Sequence, residues 1–123
     1  MNIYLSENVY GKELEICCEN PMTGFFRNGM CDTCSEDRGI HTVCILITKD
    51  FLEYSKLVGN DLSTPHPEFE FSGLKPGDKW CLCAERWKEA YVNGKAPPVY
   101  LESTHKRTLE IIDFNLLQKF AVN

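Results

Sequence analysis

The sequence predicts a single α+β domain: a mixed β-sheet covered by about three short helices, with a loop-rich amino-terminal third. Three observations carry that expectation. The chain has 123 residues, 43% hydrophobic and 25% charged, enough for one buried core without cross-links. "HTVCILIT", His41 to Thr48, is β-branched and apolar on both alternating faces, as a strand covered on both sides must be. Ahead of it, "ENPMTGFFRNGMCDTCSEDRG" collects turn formers, among them Pro21, Gly24, Asn28-Gly29 and Gly39. Residues 1–40 are therefore expected to be loop, apart from a short strand in "ELEIC", and residues 41–123 to carry the sheet and helices.

After the first strand, Asp50 and Glu53 form a capping box ahead of an apolar stripe of Phe51, Tyr54, Leu57 and Val58, with Gly59 at the stop. Residues 60–78 make a long connection, held extended at Pro65 and Pro67 and turned at Pro76-Gly77. Trp80 to Cys83 read as a strand. Ala84 to Asn93 read as a helix with Ala84, Trp87, Ala90 and Tyr91 on one side. Val99 to Ser103 and Thr108 to Ile112 read as further strands, and Asp113 caps a last helix bearing Phe114, Leu117 and Phe120. In that order the 84–93 helix serves as a right-handed crossover between parallel strands. A site is then expected where strands meet loops at one sheet edge.

Charge and composition narrow the function classes. A net charge of −5 and a pI near 5.2, with no run of Lys/Arg, exclude nucleic acid as the expected partner. The one basic cluster, His105 to Arg107, reads as a solvated turn. No stretch approaches the roughly 20 apolar residues of a spanning helix, so no membrane partner is expected. No secretory signal is visible, and the expected location is cytoplasmic, with the seven cysteines present as free thiols or metal ligands. Oligomeric state is not encoded in any recognisable pattern.

The blocks "NPMTGFFRNG", "EDRGIHTVC", "GNDLSTPHPEF", "GLKPGDKWCLCAERW", "APPV" and "LESTH" are similar, in this order, to the motif blocks of domain of unknown function 2237, a family of small, mostly bacterial proteins. The resemblance runs from Val9 onward and implies a single cytosolic domain, with no activity, substrate or cofactor attached. It places Cys31, Asp37, Arg38, Gly39, His41, Thr42, Cys44, Asn60, Asp61, Ser63, Thr64, Pro65, Trp80, Cys81, Cys83, Arg86, Trp87, Thr104 and His105 in the family pattern. The chain departs from that pattern at Cys34, where a small residue is usual, and at Cys18, where Ser is usual.

Two constellations could carry chemistry. The first is polar and drawn from several segment ends. Asp37, Arg38 and His41 stand at the entry to the first strand, and Asn60, Asp61, Ser63 and Thr64 follow the first helix. Arg86 opens the second helix, and Thr104 and His105 close the "VYLESTH" segment. His41 and His105 suit acid or base work near neutrality, Arg38 or Arg86 an anionic group, and Cys31 or Cys44 a nucleophile beside a histidine. The favoured expectation is a pocket for a small polar or anionic ligand, centred on Arg38, His41 and His105, with the 60–78 loop as a lid and catalysis open. The bland alternatives are structural ion pairs, turn caps at Asp61, Ser63 and Thr64, and histidines bonded to carbonyls.

The second constellation is sulfur. Cys31-Asp-Thr-Cys34 has zinc-ligand spacing, and Cys17 and His41 complete a set of four. A zinc-stabilised interaction module without catalysis is the alternative reading, and a thiol-redox protein the third. The missing second C-x-x-C pair and the family's usual lack of a cysteine at position 34 count against zinc, so no cofactor is expected. In "KWCLCAERW", Cys81 and Cys83 share a strand face with Cβ atoms about 6.5–7 Å apart, too far for a bridge between them, and read as core packing. Nucleotide-loop and common hydrolase motifs are lacking.

Overall fold

The computed structural model describes residues 4–122. It is a single α+β domain built on two antiparallel strands, β1 (His41–Leu46) and β2 (Lys79–Cys83). Around them lie α1 (Lys49–Leu57), α2 (Ala84–Val92) and α3 (Phe114–Gln118), with short 3₁₀ turns at Pro67–Phe69, Leu101–Ser103 and Lys106–Glu110.

Strand pairing gives the sheet two different faces. Val43 pairs with Leu82 and Ile45 with Trp80, so these four project to one side. There they join Phe51, Trp87, Val99, Leu101, Ile112 and Leu117 in the main apolar core. Cys44 pairs with Cys81 and projects to the other side, where the amino-terminal segment covers it with Cys17 and Cys31. Both faces of β1 are buried, as its continuous apolar run requires.

Several elements differ from the sequence expectation. Thr48, not Asp50, caps α1: its Oγ1 accepts the Phe51 N–H at 3.1 Å, while Asp50 sits in the first turn and pairs with Lys95 at 3.1 Å. The two later strands do not form. Val99 makes isolated bridges, antiparallel to Ile45 and parallel to Ala121, so the mixed character of the sheet is confined to single residues. The chain then leaves the sheet because side chains take over as partners. Thr104 Oγ1 accepts the Cys44 N–H at 3.1 Å, and His105 Nδ1 accepts the Arg107 N–H at 2.9 Å, starting a 3₁₀ turn where a strand was expected. The strands being antiparallel, α2 is no crossover between parallel neighbours. "ELEIC" contributes only a bridge between Glu13 and Glu7.

The thiols are not all free. Cys17 is bonded to Cys44 and Cys31 to Cys81, which removes the reduced-thiol argument for a compartment. Cys18, Cys34 and Cys83 remain as thiols. The basic cluster is not a solvated turn either. His105 is buried, and the Arg107 guanidinium donates to Thr33 Oγ1 and Cys34 O, each at 2.8 Å, and stacks on the Tyr4 ring. Among the described residues no helix is long and apolar enough to cross a membrane.

Candidate functional site

The entry to β1 is shaped by its backbone. Ile40 has φ +48, a left-handed conformation that costs a β-branched residue about 1–3 kcal/mol. Three backbone hydrogen bonds hold it there: Ile40 N–H donates to Asp37 O, and Ile40 O accepts from Thr42 N and Ala84 N. A bulge follows between His41 and Val43, and it sets His41 rather than Thr42 opposite Cys83. Thr42 turns inward instead, its Oγ1 2.7 Å from Thr108 Oγ1.

His41 is thereby delivered to Asp37. Asp37 is fully buried, and its Oδ1 lies 2.7 Å from His41 Nδ1. Its Oδ2 accepts the His41 backbone N–H at 2.9 Å and the Thr33 hydroxyl at 3.0 Å. Three donors on one carboxylate describe an ionised acceptor. The imidazole must then carry a proton on Nδ1, which leaves Nε2 as the ring nitrogen outside the Asp37 contact. Thr33 Oγ1 in turn accepts from Arg107, so a chain of hydrogen bonds runs from Arg107 through Thr33 and Asp37 to the ring. The ring lies against Gly39 and stacks on Phe25 at 6.4 Å between centroids. A Cβ on Gly39 would fall 2.5 Å from His41 Cε1 and 3.1 Å from Nε2, so a side chain there would displace the ring.

His41 borders a cavity of about 370 Å³, within the size range of small-ligand sites. Around the same space stand Arg27, Asn60, Trp80, Cys83 and Arg86. Arg27 lies over the Trp80 ring at 5.1 Å, and Arg86 is steadied by Val58 O and Glu89 Oε1, both at 3.3 Å. Two guanidinium groups, an amide and an imidazole edge make a wall suited to an anionic or polar guest.

The expected trio does not converge. His41 lines this cavity, whereas His105 lines a separate one of about 520 Å³ with Tyr4 and Arg107, and Arg38 is exposed outside both. Nor is His105 free to move protons: Nε2 donates to Leu5 O at 2.8 Å and Nδ1 accepts from Arg107 N. Burial holds its pKa below the ordinary histidine value. Cys31 and Cys44, offered as nucleophiles, are buried in disulfides and carry no thiol.

Asp61 accepts from the Thr64 hydroxyl and from the Ser63 and Thr64 N–H groups, so these three residues close a turn. Those bonds also lower the Asp61 pKa, the Thr64 hydroxyl most. Thr104 is interior and structural, donating to Tyr100 O at 2.9 Å. The zinc set Cys17, Cys31, Cys34 and His41 does not assemble, because two of its sulfurs are in bridges and the His41 Nδ1 belongs to Asp37. Of the 60–78 loop, Asn60 and Leu62 border the cavity, while Phe71 packs on Trp80 at 5.7 Å.

Residues 7–121 match the family model described as an uncharacterized protein conserved in bacteria, DUF2237. The chain belongs to that family. No curated protein matches it significantly. Within this DUF2237 domain, the sequence pointed to His41, Asn60 and Arg86, which line the cavity, and to Asp37 behind the ring, but not to Arg27 on the same wall or to Arg107, which bonds Thr33. Cys83, expected in core packing, is partly exposed and shares the cavity with His41. "FFRNG" held the signal for the first: an arginine between aromatics and a tight turn.

Proposed function

We propose that the cavity beside β1 binds a small anionic or polar molecule and that His41 exchanges a proton with it through Nε2. The Asp37–His41 contact carries this reading. A fully buried carboxylate fixes the ring tautomer and orientation, which leaves the other ring nitrogen to face the cavity. Arg27 and Arg86 supply the positive charge that an anion needs. Inorganic phosphate is a suitable probe, followed through the fluorescence of Trp80 on the cavity wall. Saturable quenching or enhancement, at about millimolar affinity for so small a guest, is expected. It should be lost or weakened about tenfold in Arg86→Ala. A flat titration of wild-type protein, or one that Arg86→Ala and Arg27→Ala both leave unchanged, overturns the reading.

A further inference from the structure

Four cysteines from four separate segments meet beneath the sheet. Cys44 on β1 and Cys81 on β2 are cross-strand partners, so their Cβ atoms leave the same face about 4.5–5.5 Å apart. Cys17 and Cys31 reach them from the amino-terminal segment as the bridges Cys17–Cys44 and Cys31–Cys81. The bridges touch one another: the Sγ atoms of Cys17, Cys31 and Cys81 all lie within 4.8 Å of each other. None of the four residues is more than 3% exposed, and Tyr100 packs against the group. Two bridges that served only to tether the segment could sit anywhere along its length. Here they bring three of the four sulfurs within 4.8 Å of one another, with the fourth, Cys44 Sγ, bonded to Cys17.

We propose that, when both bridges are reduced, Cys17, Cys31, Cys44 and Cys81 hold a zinc ion as a tetrathiolate site. Zinc bound to four thiolates at about 2.3 Å sets the sulfurs about 3.8 Å apart, a spacing compatible with that of the three sulfurs already gathered. Four soft, negatively charged donors select zinc or iron and reject magnesium and calcium. Electrons and protons balance as follows. Each disulfide takes two electrons and two protons from a dithiol reductant, which leaves as its own disulfide. Zinc then displaces four protons from the four thiols. Two equivalents of a small disulfide oxidant reverse this: the four thiolates pass four electrons to it and form two S–S bonds, the oxidant leaves as four thiols after taking up four protons, and the ion is released. The same segments are joined in either state, so the amino-terminal part stays on the sheet while its linkage changes from covalent to metal-bound. The site adjoins the His41 cavity at Cys81 and differs from the Cys31-to-Cys34 spacing that the sequence suggests.

The test uses the intact chain reduced with excess dithiothreitol, freed of it without air, and exposed to zinc. About one zinc per chain should remain after gel filtration. Cobalt in its place should show sulfur-to-metal charge transfer and the visible bands of a tetrahedral ion. Zinc should shield four of the seven thiols from a thiol reagent. Cys81→Ser or Cys44→Ser should abolish retention, and Cys34→Ser and Cys83→Ser should preserve it. If the first pair fails to fold, wild-type protein decides alone: the unreduced form must retain no zinc, and mild oxidation of the loaded form must release it as four thiols disappear. Retention below about a tenth of an equivalent, retention lost on Cys34→Ser, or iron held in preference to zinc from a mixture overturns the proposal.

Discussion

Asp37 Oδ1 and His41 Nδ1 stand 2.7 Å apart, the carboxylate without any exposure and the ring at the rim of a cavity. That contact fixes which ring nitrogen is protonated, and it is the reason the cavity reads as a site. His105 is the internal contrast. It is bonded through both nitrogens to backbone groups and has the opposite tautomer, protonated on Nε2.

Asp37→Asn keeps the shape but puts an amide NH₂ among donors. The His41 N–H, the Thr33 hydroxyl and the His41 Nδ1–H all need an acceptor there. Urea denaturation should show a loss of about 1–3 kcal/mol, the range for leaving buried donors unsatisfied. An unchanged midpoint would mean that the carboxylate is not the ionised acceptor described.

Gly39→Ala should separate function from stability. Its Cβ would meet the His41 ring at 2.5 Å, so the ring must move, while Gly39 lacks the positive φ that penalises alanine. Phosphate affinity is expected to fall about tenfold, with a smaller loss of stability than in Asp37→Asn, because only the ring contact to Asp37 is disturbed. Gly59→Ala should do the reverse. It meets no atom within 4 Å but has φ +93, so about 1 kcal/mol of stability should be lost with binding intact.

The pH dependence of stability should carry a His105 signature. Burial lowers its folded pKa below 6.5, so the unfolded chain takes up the proton first as pH falls. Its contribution is fully present above about pH 6.5 and is lost as pH drops toward the lowered folded value. Denaturation midpoints at pH 7.5 and 5.5 should therefore differ, and His105→Gln should shrink the difference.

Unreduced protein, denatured and treated with a thiol reagent, should yield three reactive thiols, those of Cys18, Cys34 and Cys83. Reduction should raise the number to seven. The bridges span 27 and 50 residues, and loop closure of that size contributes about 3–4 kcal/mol each. Removing Cys31 and Cys81 together as serines should lower stability by that order.

Local pattern revealed what local physics decides. The apolar run of β1, the "KWCLC" strand and the period of α1 and α2 were legible because burial face and spacing are written into consecutive residues. Asp37 and His41 could be read together because four positions separate them. What depended on distant partners was not legible. The stretch from Leu101 to Glu110 has strand-like residues, yet Thr104 and His105 spend their side chains on backbone donors and turn it into 3₁₀ structure. The sulfur pairing rests on Cys44 facing Cys81 across the sheet, a long-range register that no local pattern announces. Arg27 joins the cavity from a segment without periodicity, by stacking on Trp80.

Nitrogen-resolved NMR of the histidine rings, with and without phosphate, tests the central claim most directly. His41 should appear as the Nδ1–H tautomer near pH 7.5, and its unprotonated Nε2 resonance should move on phosphate addition while that of His105 stays fixed. A His41 ring protonated on Nε2, or an Nε2 resonance indifferent to saturating phosphate, would contradict the account.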